Sequence, residues 1–186
     1  LPLDRLAGVF LTHFHSDHID GLGPLMLMRW IGSAAQTPLP IHGPPGVDTV
    51  VAGFNTAYAL DNGYRVAHHG ANILSPAAAG GRAAPFMLPA LGQGDQSVVL
   101  EQDGLKITAF RAAHAPIEPA VGYRFDYKGR SVLFSGDTMP SPALVAAAQG
   151  ADLLIHEALQ PKLVGLITAA LAAKGIAGTA QITRDI

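Results

Sequence analysis

The stretch VFLTHFHSDHIDG, residues 9–21, places an apolar run directly before a cluster of histidine and aspartate residues. It contains three of the eight histidines of the chain, His13, His15 and His18. Such a cluster is either a polar loop or one wall of a metal site. The spacing of its side chains and the partners that the rest of the chain supplies decide between these interpretations.

The spacing His-x-His-x-Asp-His favours a metal site. The apolar run predicts a buried strand, and in extended backbone His13 and His15 point to the same side. Asp17 and His18 follow where the chain turns, so they can face a second point nearby. Two metal ions held about 3.5–4 Å apart need two such sets of ligands. We therefore predict a dinuclear metal site, with a polar loop as the alternative.

The composition restricts the chemistry of the chain. Its 186 residues include no cysteine, so a metal must be held by nitrogen and oxygen, which favours zinc, with manganese and iron as alternatives. The length of 186 residues predicts a single domain over residues 1–186, and a hydrophobic fraction of 49% with a charged fraction of 14% indicates a compact fold rather than disorder. The net charge of −2 is not typical of a protein that grips phosphate backbones.

Periodicity along the chain predicts strands mixed with helices. Apolar residues at helical spacing from 47 to 58 indicate an amphipathic helix, and turn dipeptides at 103–104 and 128–129 indicate β-hairpins. Residues 152–158 predict a further buried strand. Residues 61–95, rich in Gly, Ala and Pro, predict an excursion from the domain. The pattern predicts an α+β fold in which helices cover a mostly antiparallel sheet.

The first motif, THFHSDH at residues 12–18, resembles the signature of the metallo-β-lactamase superfamily. Later motifs resemble its ribonuclease Z and arylsulfatase-like branch, and the resemblance spans about residues 6–158. These motifs are IHGPPG (41–46), HAPIEPAVGYRF (114–125), FSGDT (134–138) and LLIHEA (153–158). The resemblance implies an αββα sandwich.

The resemblance also implies a set of metal ligands. One ion is expected on His13, His15 and His114, and the second on Asp17 and His18, with Asp137 bridging both. His114 and Asp137 follow predicted strands, where side chains leave the core but keep its rigidity. The alternatives are a surface histidine and a helix-capping aspartate.

His156 and Glu157 are further catalytic candidates. The resemblance implies that His156 lies beside the metals and either gives a proton to the leaving group or holds a substrate phosphate. A strand-end histidine satisfied by hydrogen bonds is the alternative. His42 is expected at a strand end without a catalytic role, and the pair at residues 68–69 either lines the pocket entrance or is simply solvated.

The chain departs from the family pattern at both ends. No histidine follows His156 to supply the usual seventh ligand, and few residues precede the first motif. We therefore expect a sandwich that is incomplete at both ends, and the alternative is a second metal site short of ligands. Because the chain begins at Leu1, we expect a processed or partial product, either cytoplasmic or exported.

We expect a metal-dependent hydrolase that directs a metal-activated hydroxide at a small ester-type substrate: a phosphodiester, sulfate ester, lactone or β-lactam. Asp17 is expected to orient the hydroxide and His156 to protonate the leaving group. The first alternative is a ribonuclease Z-like endonuclease for tRNA 3′ ends, which the net charge disfavours. The second is a catalytically impaired metal-binding protein. A homodimer and no membrane partner are expected.

Overall fold

The computed structural model describes residues 3–33, 35–91 and 93–185, which fall into two compact units. The units comprise residues 1–156 and 157–186, because the residues after His156 contact mainly one another. The sequence, in contrast, predicts one domain.

The strands are β1 (Val9–Phe10), β2 (Leu39–Gly43), β3 (Gly81–Pro85), β4 (Gln96–Gln102), β5 (Leu105–Arg111), β6 (Val121–Tyr127), β7 (Arg130–Phe134) and β8 (Leu153–Ile155). The α-helices are α1 (Ser16–Ile19), α2 (Leu22–Ser33), α3 (Val47–His69), α4 (Pro142–Ala148), α5 (Pro161–Ala173) and α6 (Ala177–Arg184). The second unit contains α5 and α6.

The first sheet has the order β1-β2-β3 and is parallel throughout. Parallel neighbours need crossover connections, and α1 and α2 connect β1 to β2 while α3 lies between β2 and β3. The prediction of a mostly antiparallel sheet is therefore wrong for this half of the sandwich.

The second sheet has the order β4-β5-β6-β7-β8, with antiparallel pairing up to β7 and a parallel pair β7-β8. The two predicted hairpin turns are confirmed. Asp103 and Gly104 have φ of 49° and 78°, and Lys128 and Gly129 have φ of 49° and 73°. Two consecutive positive φ values are what the type I′ turn of a two-residue hairpin requires.

The two sheets pack face to face between layers of helices. Phe10 of the first sheet meets the rings of Tyr123 and Phe125 of the second, with centroids 5.6 Å apart in both pairs. On the outer faces, α2 and α3 pack on β2, and α4 packs on the second sheet through Leu144 and Phe110. The αββα sandwich is thus confirmed.

Residues 61–95 differ from the predicted excursion. Residues 61–69 continue α3, supported by an ion pair from Arg65 to Asp61 at 2.7 Å, one helical turn apart. Residues 81–85 form β3, whose small side chains gave no strand signal. A Cβ on Gly81 would lie 2.6 Å from the sulfur of Met26, so any other residue there would displace that side chain.

The predicted strand near residue 153 exists, but it is not buried. The side chains of β8, Leu153 to Ile155, are each at least 43% exposed. In the described part of the chain, β8 is the edge strand of its sheet and pairs only with β7. None of the described helices combines the length and apolar composition that crossing a membrane requires.

Candidate metal centre

The predicted ligands lie where three strands end. β1 leads into Thr12 and His13, β5 ends three residues before His114, and β7 ends three residues before Asp137. The amide of Val121 donates to the carbonyl of Thr12 at 3.0 Å and so joins the ends of the two sheets. Residues that are remote in sequence therefore meet at one edge of the sandwich.

The first group of potential ligands is His13, His15 and His114, whose ligand atoms all lie within 4.8 Å of one another. Nε2 of His13 lies 3.1 Å from Nδ1 of His15. The ring of His114 is centred 4.8 Å from that of His13 and 5.3 Å from that of His15. Three imidazoles converging in this way are typical of a catalytic zinc site.

The second group is His13, His18 and Asp137, again with ligand atoms within 4.8 Å of one another. Oδ2 of Asp137 lies 3.2 Å from Nε2 of His18 and 3.9 Å from Nε2 of His13. His13 therefore belongs to both groups, and its side chain is fully buried between them.

Burial keeps His13 uncharged. It lowers the pKa of His13 to about 4, with a further lowering from the charge of His18 and a partial opposing effect from Asp137. Nδ1 of His13 lies 3.1 Å from the hydroxyl of Thr12, which leaves Nε2 facing the other ligands. At neutral pH the imidazole is in the form that binds metal.

His114 shows that these residues fit a metal ion. Its Nε2 atom is buried and has no hydrogen-bond partner among the described residues. A buried polar atom normally has a partner, and one left without it requires an explanation such as an ion. All donors in the two groups are imidazole nitrogens or carboxylate oxygens, which suit a divalent transition metal.

Asp17 lies beside these groups without joining them. Its side chain is 78% exposed on α1, and its Oδ2 is 3.4 Å from Nε2 of His18. It is in neither of the ligand groups found among the described residues. Its roles as ligand and in orienting the nucleophile stay predictions.

His156 follows β8 at the edge of the sheet that also carries Asp137. The amide of Ser135 donates to the carbonyl of Ile155 at 3.0 Å, which ties the ends of β7 and β8 together. Glu157 is the first residue of the second unit. The catalytic roles of His156 and Glu157 stay predictions.

The remaining histidines lie outside the two groups. His42 is the fourth residue of β2 and stacks on Phe10 with ring centroids 4.5 Å apart. Its pKa is lowered by burial and by the charge of Arg82. His68 and His69 are exposed in the last turn of α3, and no described contact brings them to the metal ligands.

Tyr123 and Gly136 lie within the motifs at 114–125 and 134–138, but the sequence assigns neither of them a role in the site. The hydroxyl of Tyr123 donates to the carbonyl of Leu11 at 2.6 Å, and burial raises the pKa of Tyr123 above its ordinary value. Gly136, next to Asp137, has φ of 62°, and a Cβ there would lie 2.7 Å from the carbonyl oxygen of Val121. The alternation along its predicted strand does not indicate the hydrogen bond from Tyr123 to Leu11.

A family model described as the beta-lactamase superfamily domain matches residues 2–178. The chain belongs to this superfamily. Its similarity to curated relatives includes 37% identity over 164 residues with the ribonuclease Z of Mycobacterium avium (strain 104), covering 87% of this chain and 55% of the relative. The ribonuclease Z of Mycobacterium bovis (strain BCG / Pasteur 1173P2) is 37% identical over 161 residues, covering 86% of this chain and 54% of that protein. The chain thus spans about half the length of the curated relatives it matches.

Solved structures show the same fold. Human tRNase Z, short form, aligns with a TM-score of 0.63 at 23% identity, and the alignment covers 86% of this chain and 61% of the human chain. The long form RNase Z from yeast aligns with a TM-score of 0.58 at 17% identity, covering 88% of this chain and 25% of its own. The resemblance to the metallo-β-lactamase superfamily and its ribonuclease Z branch is confirmed. The family and the two ligand groups together indicate metal binding.

Proposed function

We propose that this chain carries the metal centre of a ribonuclease Z-like phosphodiesterase that cleaves tRNA precursors at their 3′ ends. The observation that carries the proposal is the convergence of His13, His15, His114, His18 and Asp137 in a chain similar to proteins named ribonuclease Z. These relatives favour the endonuclease, which was the first alternative from the sequence, over the small-ester hydrolase. A nucleic acid accordingly replaces the small molecule as the proposed substrate.

Two divalent ions, zinc in the proposal, would occupy the two groups. His13, His15 and His114 would hold one, and His18 and Asp137 the other, with Asp17 as a further ligand. His13 belongs to both groups, but one nitrogen can serve only one ion, so the second ion depends more on its remaining ligands. Bound divalent cations supply Lewis acidity, which makes water more acidic and offsets negative charge on a phosphodiester.

His156 is the proposed general acid. Hydrolysis adds water to phosphorus and breaks one P–O ester bond, and the departing oxygen takes up a proton. His156 follows β8, and the carbonyl of Ile155 before it accepts from the amide of Ser135, two residues before Asp137; this proximity in the backbone supports the role. Thr138, which follows the ligand Asp137, and His156 both line a mainly apolar cavity of about 850 Å³.

The experiment compares turnover of several substrates by the zinc-loaded and manganese-loaded chain. The substrates are a tRNA precursor, bis(p-nitrophenyl) phosphate, a sulfate ester, a lactone and a cephalosporin. We expect cleavage of the two phosphodiesters, and loss of at least about 100-fold in rate when His114 or Asp137 is replaced by alanine. His69→Ala, which removes an exposed histidine outside both ligand groups, is the matched control and is expected to keep the wild-type rate.

The net charge of −2 favours the small-ester hydrolase as a second candidate. Binding of tRNA that is strong and falls steeply with salt supports the nuclease, because each phosphate contact releases counterions. Turnover of the lactone, sulfate ester or cephalosporin without cleavage of either phosphodiester would establish the second candidate instead. A chain that binds metal but turns over none of the substrates would be the impaired metal-binding protein.

A further inference from the structure

The loops that carry His114 and Asp137 are joined next to both ligands. The amide of Ala113 donates to Oγ1 of Thr138 at 2.9 Å. In the opposite direction, the amide of Met139 donates to the carbonyl of Ala113 at 2.8 Å. Ala113 precedes one ligand and Thr138 follows the other, so these two bonds connect the ligand groups through their immediate neighbours.

The hydroxyl of Thr138 is suited to this connection. Thr138 is only 7% exposed, and Oγ1 also approaches the carbonyl of Met139 at 2.8 Å. Donation of the hydroxyl proton to this carbonyl leaves the oxygen lone pairs to accept the amide proton of Ala113. The bond to Met139 thus lies within the loop of Thr138 itself and is compatible with acceptance from Ala113.

Of the two bonds between these loops, the one from Ala113 to Oγ1 depends on the identity of residue 138 and the other does not. The bond from Met139 to Ala113 joins backbone atoms and survives any substitution that keeps the fold. A serine at position 138 retains the hydroxyl, whereas a valine has nearly the shape of threonine but no acceptor. The chain therefore offers a pair of substitutions that separates the hydrogen bond from packing.

We infer that Thr138 is a positioning residue that fixes the loops of His114 and Asp137 relative to each other, so that both ligand groups can hold an ion. His114 belongs to the first ligand group and Asp137 to the second, and they share His13. A change in the spacing of their loops therefore weakens both groups together. The inference rests on the metal-binding part of the proposed function and is independent of the substrate.

The test is a titration of the full chain, freed of metal by chelation, with cobalt(II) as a spectroscopic probe. Affinity is measured by competition with a chelator, and geometry by the visible absorption of the bound ion. For Thr138→Val we expect about 10- to 100-fold weaker binding, as for other groups that orient metal ligands, and an altered spectrum. Thr138→Ser is expected to restore the wild-type spectrum and most of the affinity.

Thr56→Val is the matched control, because the hydroxyl of Thr56 bonds only within α3, to the carbonyl of Ala52 at 2.8 Å, in the described contacts. It is expected to bind cobalt as the wild type does. Wild-type affinity and spectrum in Thr138→Val would overturn the inference, as would equal losses in the serine and valine variants. Failure of the wild type to bind cobalt would instead overturn the metal centre itself.

Hydrogen exchange on the metal-free wild type provides a measurement that needs no variant, in case Thr138→Val does not fold. The amide of Ala113 is expected to exchange at least about 100-fold more slowly than an unprotected amide, since it donates a hydrogen bond at a partly buried position. Exchange at the unprotected rate would contradict the connection between the two loops.

Discussion

Replacing Tyr123 by phenylalanine is expected to destabilise the sandwich beside the metal ligands. Tyr123 is 2% exposed, and its hydroxyl donates at 2.6 Å to the carbonyl of Leu11, two residues before His13. The substitution keeps the ring and its packing but leaves a buried carbonyl without this donor. Such a loss costs about 1–3 kcal/mol of the free energy of unfolding. For a domain of this size, 2 kcal/mol corresponds to a fall in melting temperature of about 4–8 °C.

The assay is urea unfolding of the metal-free chain followed by circular dichroism, with Tyr127→Phe as the control. Tyr127 lies on the same strand but is 46% exposed, so removal of its hydroxyl is expected to change the free energy of unfolding by less than about 0.5 kcal/mol. Equal effects of the two substitutions would refute the importance of the bond between the sheets. So would an unchanged midpoint for Tyr123→Phe.

Three further predictions concern the same edge of the sandwich. Gly136→Ala is expected to lower the free energy of unfolding by several kcal/mol, because a Cβ there meets a carbonyl oxygen. Gly129→Ala is expected to cost only about 1–2 kcal/mol, the cost of an alanine in left-handed backbone, because a Cβ there meets nothing within 4 Å. Similar losses for the two variants in calorimetry would contradict this prediction. In the metal-free protein the pKa of His13 is about 4, against 6.5 in the unfolded chain, so the unfolded state binds the proton first as the pH falls. The free energy of unfolding should therefore fall by up to about 1.4 kcal/mol per pH unit between pH 6.5 and pH 4. His13→Asn should flatten that slope, and an unchanged slope in urea titrations at several pH values would argue against it. Zinc at about 100 times its dissociation constant should raise the free energy of unfolding by about 2.7 kcal/mol, an increase that chelation reverses in thermal scans.

The sequence predicted the components of the site better than their surroundings. His13, His15, His18, His114 and Asp137 were identifiable because metal ligation demands particular side chains at strand ends, and a resemblance covering most of the chain gave the remote partners. The structure brings these five side chains together. The resemblance implies Asp137 as the ligand common to both ions, whereas in the structure His13 is the residue common to both ligand groups. The bridging role of Asp137 stays a prediction.

The predictions that were wrong concern segments whose secondary structure depends on contacts with remote parts of the chain rather than on the local pattern of apolar residues. β3 contains small residues that pair with β2 over five positions, so its strand conformation is a tertiary effect. The last turns of α3 are largely exposed and gave little apolar pattern. The hydroxyls of Tyr123 and Thr138 act on backbone atoms far along the chain, and no local pattern encodes such pairings.

The exposed strand β8 has a practical consequence for work with this chain at high concentration. A sheet edge offers unpaired N–H and C=O groups, and three consecutive aliphatic side chains flank this one. Such edges recruit further strands and promote aggregation unless a charge interrupts them. Leu154→Lys should therefore improve solubility in storage. Mass measurements intended to detect a homodimer should include this variant, so that pairing of two exposed β8 strands is not mistaken for a specific dimer.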